Sequence, residues 1–254
     1  MIECGSLEYA HARLAARHGQ RASEAVWQRL DTAHNFSAWL DAGRASSLRP
    51  WLEGIEVGST SHRVEAVLRA HWRTAVEVVV AWMPLPWQPA LAWCAALHDL
   101  PVLQHLATHE PMAWMRDDPL YRPLCAESPS QRREAMARGP FSALVDTGDA
   151  PHALVDAWHA EWVRRLPGRT DQDGSGLERL VRTLRDHVAM LGTARTDETW
   201  PLRRSLRARL SRQLRAATLE PAAAFVHLAL CALDLERLRA GALRHLLFPK
   251  KRGA

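Results

Sequence analysis

Two histidines and one aspartate form the set of residues in this sequence whose types and spacing could do chemistry. His98 and Asp99 are adjacent near the end of an apolar helical segment, and His71 lies on the predicted helix before it. Neutral imidazoles and a carboxylate can bind a divalent metal ion, and the ion lowers the pKa of a bound water enough to make it a nucleophile. The set therefore predicts a metal-dependent hydrolase as one hypothesis.

The same aspartate also belongs to a motif that occurs twice. Asp-Leu-x-x-Leu begins at Asp99 and again at Asp234, and each copy follows an arginine-rich amphipathic helix and an apolar segment of similar length. An internal sequence repeat of this kind is typical of repeated helical units, which hold partners more often than they catalyse reactions. The second copy has Leu233 in the place of His98, which favours a structural role for the aspartate, capping or pairing at a helix break, and makes the histidine incidental.

The stretch from His71 to Asp99 resembles, in its spacing, the His…His-Asp pattern of the HD superfamily of metal-dependent phosphohydrolases. Pro101 stands where those enzymes usually carry glycine. The resemblance implies a divalent ion held by His71, His98 and Asp99. This hydrolase is the alternative to the non-catalytic function described below, for which we expect no catalytic residue, no metal and no cofactor.

Arginines recur at helical spacing on two predicted helices and are candidate contacts for acidic partners. A net charge of +5 and a pI near 9.5 favour acidic surfaces in general, whether nucleic acid, lipid or protein. No recognisable reading helix supports nucleic acid, so we expect a protein partner. The two stripes are Arg13, Arg17 and Arg21 on the first helix, and Arg203, Arg207 and Arg212 near the C-terminus.

Composition predicts an all-α protein. The 254 residues are 47% apolar, the fifteen prolines lie mostly between periodic segments, and alternating β-branched runs are nearly absent. The four cysteines are far apart and predict neither a zinc ribbon nor a redox dithiol, as expected in a reduced cytosol. The most apolar run, residues 75–85, is far shorter than the roughly 20 residues of a membrane span. We expect a cytoplasmic chain that is at most peripheral to a membrane.

The periodic segments suggest three regions. Residues 1–116 form a first helical repeat region, 117–176 an irregular connection with short helices, and 177–254 a C-terminal helical repeat, together making one compact unit. Ser6 and Asn35 are predicted helix caps, Ser61 opens a long helix, and Asp149 with Pro151 starts another. Two or three similar bundles are expected to form a funnel-like body.

A second resemblance covers about half of the chain. The segment Tyr9 to Gly19, Tyr-Ala-His-Ala-Arg-Leu-Ala-Ala-Arg-His-Gly, resembles the opening helix of the central-stalk spacer of rotary ATPases, known as the C-type subunit in archaeal-type enzymes and the d-type subunit in vacuolar-type ones. Members begin with Tyr, a small residue, Asn-Ala-Arg-Val-Arg and a basic segment. The resemblance continues over Ala66 to Leu106, where the family has an amphipathic helix and an Asp-x-x-Asn-Leu break, and returns over Ala222 to Leu247. Val102 and Arg237 stand in place of the family's asparagine.

This resemblance implies a non-catalytic helical spacer of the central stalk. Such a protein sits on the cytoplasmic face of the proton- or sodium-carrying membrane ring, one copy per complex, and receives the base of the shaft. One of the family's three helical repeats is then missing or compressed around residues 111–176. The two arginine stripes become candidate contacts to acidic loops of the shaft or the ring.

Overall fold

The protein is built from helices alone in the part of the chain that the structure describes. The structure is a computed structural model and describes residues 5–145, 147, 152–168 and 174–248, within which there is no strand, so the predicted all-α class is confirmed. Short 3-10 turns connect several of the α-helices. These are α1 (Leu7–Gly19), α2 (Glu24–Thr32), α3 (Phe36–Arg44), α4 (Arg49–Leu52), α5 (Ser61–Trp82), α6 (Gln88–Trp93), α7 (Leu100–Thr108), α8 (Ala113–Asp117), α9 (Pro129–Arg138), α10 (Ala153–Arg165), α11 (Gly174–Thr193), α12 (Thr199–Ala216) and α13 (Ala222–Leu247).

Polar side chains begin several helices where the sequence predicts them. The Ser6 hydroxyl accepts a hydrogen bond from the backbone N–H of Tyr9 at 3.2 Å, and the Asn35 side-chain oxygen accepts from that of Ala38 at 2.8 Å. Each cap satisfies a backbone donor that the first helical turn leaves without a partner. Both predicted caps are confirmed, whereas Asp149 lies outside the described residues.

The two copies of Asp-Leu-x-x-Leu have different local structures. At the first copy the helix is interrupted, since a 3-10 turn ends at His98 and α7 begins at Leu100 with Pro101 in its first turn. Proline fits there because the first turn of a helix needs no N–H donor from it. The second copy lies inside α13, and Asp234 marks no helix end.

The chain folds into two compact units. Unit 1 comprises Met1–Gln88 and Pro167–Ala254, and unit 2 comprises Pro89–Leu166. This division follows packing in space, and its boundaries differ from those of the predicted regions 1–116, 117–176 and 177–254, which stay a prediction. The arginine stripes and the residues of the site described below belong to unit 1.

Helix α13 is the centre of unit 1. Its 26 residues span about 39 Å, and it packs against α1, α3, α5, α11 and α12. Its first turns are alanine-rich and buried, which lets neighbouring helices approach closely. Near its other end, a Cβ added at Gly241 would lie 2.8 Å from Nε1 of the buried Trp39 on α3, so only glycine fits this contact.

Helix α11 departs from its predicted apolar stripe. The sequence predicts that Leu177, Leu180 and Val188 all face the core, and the first two are buried. Val188 is instead 67% exposed, and Met190 two residues later is 41% exposed. The helical period alone placed Val188 inward, but in this half of α11 the covered face includes His187, which is 6% exposed, and Val188 points away from it.

In unit 2, α7 packs against α10, and a buried carboxylate organises the end of α10. Glu161 is 9% exposed and accepts hydrogen bonds at 2.6 Å from Arg164 and Arg165. The hydrogen bond from the Arg164 guanidinium is the main cause that lowers the pKa of Glu161 to about 2, against the effect of burial.

No helix in the described part of the chain is both long and apolar enough to cross a membrane.

Candidate functional site

The structure does not assemble a metal site from the three predicted ligands. His71 lies on α5 in unit 1, and its Nε2 is 2.8 Å from the backbone carbonyl of Glu53. His98 and Asp99 lie at the start of α7 in unit 2. Within the described residues no group of three or more His, Cys, Asp or Glu side chains is placed to hold a metal ion.

Asp99 instead has a buried structural partner. It is 2% exposed, and its Oδ1 accepts a hydrogen bond from the Tyr121 hydroxyl at 2.5 Å. Tyr121 is itself fully buried. A carboxylate in this setting fixes the connection between the start of α7 and the turn that follows α8, and it is closed to a substrate. This agrees with the structural role that the repeated motif favours.

The six predicted interface arginines fall into two groups. Arg13, Arg17 and Arg212 are exposed, so a partner can reach them. Arg21, Arg203 and Arg207 are engaged within the chain, and Arg203 donates to Glu236 on α13 at 2.6 Å. Helical spacing identified residues on one face of a helix, but it did not reveal that acidic groups of α13 lie against part of that face.

The engaged arginines converge on the second aspartate of the repeated motif. Arg21 Nη2 donates to Asp234 Oδ2 at 2.6 Å and to the carbonyl of Leu230 at 2.9 Å. Arg207 Nη1 lies 3.2 Å from Asp234 Oδ1, and its Nη2 donates to the carbonyl of Ala22 at 2.8 Å. We call Arg21, Asp234 and Arg207 the buried ion triad. It joins α12 and α13 to the turn that follows α1.

Burial and charge act against each other in this triad. The side chains of Asp234, Arg21 and Arg207 are 7%, 9% and 22% exposed. Burial raises the pKa of Asp234, and the two guanidinium groups oppose that shift. Burial likewise lowers the pKa of Arg207, whose positive charge Asp234 supports. The two cations therefore keep a carboxylate in a place where it would be costly alone.

A cavity of about 560 Å³ lies beside the triad. Helix α1 and the turn after it contribute Arg17 and Arg21, and α13 contributes Asp234 at the inner end. Helix α5 supplies Trp82, and α4 supplies Trp51. We call it the α1–α13 cavity. Its volume lies in the range of small-molecule sites, and its lining combines apolar surface with a few converging polar groups.

A buried histidine and a thiol form the inner wall of this cavity. His227 is 6% exposed, and its Nε2 is 3.5 Å from the Cys231 sulfur. Burial lowers the pKa of His227 to about 3, with the nearby positive charge of Arg21 adding to the effect. Burial also raises the pKa of the Cys231 thiol to about 12. Both groups are therefore neutral near pH 7, and the thiol is a poor nucleophile.

Sequence reasoning missed this site because its lining comes from separate segments of the chain. Arg17 and Arg21 were identified as surface contacts, His71 as a metal ligand and Asp234 as a structural aspartate, with nothing to indicate that all four border one cavity. The signal that was present is the second Asp-Leu-x-x-Leu copy. A carboxylate on the buried face of an apolar helix requires a positive partner, and the arginine-rich helices are the source of such partners.

Comparison of the chain with models of known protein families, with curated proteins and with solved structures found no match in any of the three.

Proposed function

We propose that this chain is a non-catalytic central-stalk spacer of an archaeal- or vacuolar-type rotary ATPase, which couples the shaft to the ion-carrying membrane ring. The observation that carries the proposal is the mutual packing of the segments that resemble the spacer family. The first segment lies on α1, residues 66–82 of the second lie on α5 and the third lies on α13, and these three helices contact one another within unit 1. The second segment from Pro89 onward belongs to unit 2. Parts of all three segments, far apart in sequence, thus pack together in unit 1.

Buried and partly buried ion pairs support the stiffness that such a spacer needs. The buried ion triad ties α12 and α13 to the end of α1. Arg237 on α13 pairs with Glu24 at 3.1 Å and Asp31 at 2.7 Å on α2, and Arg239 pairs with Glu65 on α5 at 2.8 Å. These contacts fix helices from both ends of the chain to α13, and a body held in this way transmits torque with little internal slippage.

The exposed arginines are the proposed contacts to acidic loops of the shaft or ring. Arg13 and Arg17 lie four residues apart on α1, and Arg212 lies on α12. The exposed apolar side chains Val188 and Met190 on α11 add surface of the kind found in protein interfaces. In this proposal the chain is cytoplasmic, peripheral to the membrane through protein contacts, and part of a funnel-like body of similar helical repeats.

The test is purification of the tagged chain from gently solubilised native membranes, followed by mass spectrometry of the proteins that co-elute. We expect proteins of the shaft, the ring and the catalytic head to be recovered with the tagged chain when its own sequence is unchanged. Recovery of the tagged chain alone would refute the proposal.

A matched pair of triple variants locates the interface. Charge reversal at three exposed arginines of the stripes is expected to abolish co-elution, while reversal at three exposed arginines elsewhere in unit 1 leaves it intact. Equal recovery with both variants, each shown to be folded by circular dichroism, would refute the assigned surface. The first variant is Arg13→Glu, Arg17→Glu and Arg212→Glu, and the control is Arg29→Glu, Arg49→Glu and Arg63→Glu.

A further inference from the structure

The α1–α13 cavity has an excess of positive charge at the end that α1 and α13 form. The exposed Arg17 and the buried Arg21 line this end, and Arg207 pairs with Asp234 beside it, so three guanidinium groups and one carboxylate lie in or next to the cavity. His227 adds no charge near pH 7 because it is neutral. An anion entering the cavity is therefore attracted, and a cation is repelled.

One donor at this end lacks a partner. Arg21 uses Nη2 for Asp234 and Leu230, while its Nη1 is buried and has no hydrogen-bond partner. The Arg21 side chain is 9% exposed. A buried N–H of a charged group without an acceptor costs free energy, which an acceptor oxygen of a ligand removes. Arg21 is one of the residues that line the cavity.

The rest of the lining is suited to an apolar ligand body with a polar opening. Val78, Val79 and Trp82 of α5 form one wall, and Trp51 of α4 also lines the cavity. The exposed Thr74 offers a hydroxyl nearer to solvent. Flat aromatic side chains favour flat or aliphatic ligands, which they contact over a large area at little cost in conformational entropy.

We propose that the α1–α13 cavity is a binding site for a small organic carboxylate with an apolar, ring-sized body. The carboxylate lies against Arg17 and Arg21, whose planar guanidinium groups match its two oxygens. The apolar body lies along Val78, Val79 and the two tryptophans. This inference does not rest on the proposed role in a rotary ATPase, because it concerns the isolated chain.

The test is titration of the purified chain with 2-naphthoate, followed by isothermal calorimetry and by ligand-observed NMR. We expect one site with a dissociation constant of about 1 mM or tighter. The neutral analogue 2-naphthamide is expected to bind at least about tenfold more weakly, because it lacks the charge that the guanidinium groups recognise. Absence of naphthoate binding up to about 5 mM, or equal affinity for both probes, would overturn the proposal.

Two variants and one control locate the binding. Arg17→Gln is expected to weaken naphthoate binding at least about tenfold, and Thr74→Trp is expected to weaken it by narrowing the opening of the cavity. Arg13→Gln is the matched control, because Arg13 is exposed on the same helix and does not line the cavity. Equal weakening by Arg13→Gln and Arg17→Gln would overturn the assignment in favour of general attraction to the basic surface.

Inorganic phosphate provides the remaining comparison. We expect it to compete with naphthoate only weakly, since it cannot use the apolar wall. Displacement of naphthoate by phosphate at equal concentration would show an anion site without selectivity for an apolar body, and would overturn that part of the proposal. Because Arg17→Gln changes an exposed residue, its result remains decisive even if Thr74→Trp fails to fold.

Discussion

Replacing Asp234 by asparagine is expected to destabilise unit 1 by about 3–5 kcal/mol, because it leaves two largely buried guanidinium groups without a counter-charge. Asparagine keeps the shape and one acceptor oxygen, so the change isolates charge from packing. Asp234 lies 2.6 Å from Arg21 and 3.2 Å from Arg207, and its side chain is only 7% exposed. At that burial water replaces the lost carboxylate only in part. The loss is a large part of the roughly 5–15 kcal/mol that stabilises a typical domain.

Asp186→Asn is the matched control. Asp186 is 52% exposed, and it pairs with a 34%-exposed Arg209 at 3.6 Å. An exposed pair of this kind contributes at most about 1 kcal/mol, and its contribution falls further in high salt. The same Asp→Asn change is thus compared at two positions that differ mainly in burial.

The assay is native-state hydrogen exchange read by mass spectrometry on peptides from α13, which reports the unit that contains the triad. Exchange is preferred to a single melting curve because two compact units can unfold separately. Protection of α13 is expected to fall by a factor of about 100 or more for Asp234→Asn and by less than about tenfold for the control. The Asp234→Asn loss is also expected to persist at about 1 M salt, where the control effect vanishes.

A double variant tests the cause directly. Adding Arg21→Met to Asp234→Asn removes one of the two unpaired charges and places an apolar chain of similar reach in the same space. We expect the double variant to recover part of the stability that Asp234→Asn loses, which is a positive coupling in a double-mutant cycle. Additive losses, or an Asp234→Asn effect no greater than that of Asp186→Asn, would refute the view that the triad is held by charge.

Three further predictions concern packing and pH. Gly241→Ala should destabilise unit 1 by about 1–3 kcal/mol because the new Cβ meets Trp39. Gly192→Ala has open space around the new Cβ and should stabilise α11 by up to about 1 kcal/mol. Chemical denaturation compares the two variants, and a destabilising Gly192→Ala would contradict the open space assigned to that position. Below pH 6.5 the unfolded chain protonates His227 while the folded chain, with a pKa of about 3, does not, so unit 1 should lose up to about 1.4 kcal/mol per pH unit. His227→Phe should remove that slope, and an unchanged slope would assign it to other groups. The folded pKa of Glu161 is about 2, so its advantage over Glu161→Gln should be complete above about pH 5 and vanish towards pH 2. That advantage is about 1 kcal/mol, because the partner Arg164 is 71% exposed and solvent screens the pair. Hydrogen exchange in α10 follows it, and a difference that persists at pH 2 would show that the ionised carboxylate is not its source.

The sequence alone determined the helical class and many helix ends. Ser6, Asn35 and Pro101 are local signals, because each acts on backbone groups within one or two turns. The apolar spacing of 3.6 residues is local as well, since it is read within a single segment. Pairing of the repeated aspartate was also foreseeable, since a carboxylate in an apolar segment needs a partner, but the predicted capping is not seen at Asp99 and Asp234 lies at no helix break. These inferences need no knowledge of the other helices.

Only the tertiary structure decided which partners those residues have. Val188 matches the inward stripe of α11 and is nevertheless exposed, because burial depends on whether another element covers that face. Arg17 lies in the last turn of α1 and Arg21 four residues later in the turn after it, yet the first is exposed and the second is paired with an aspartate 213 residues away. Spacing along a helix fixes the direction in which each side chain points. Charge pairing and the α1–α13 cavity depend instead on contacts between distant segments, which no local pattern encodes.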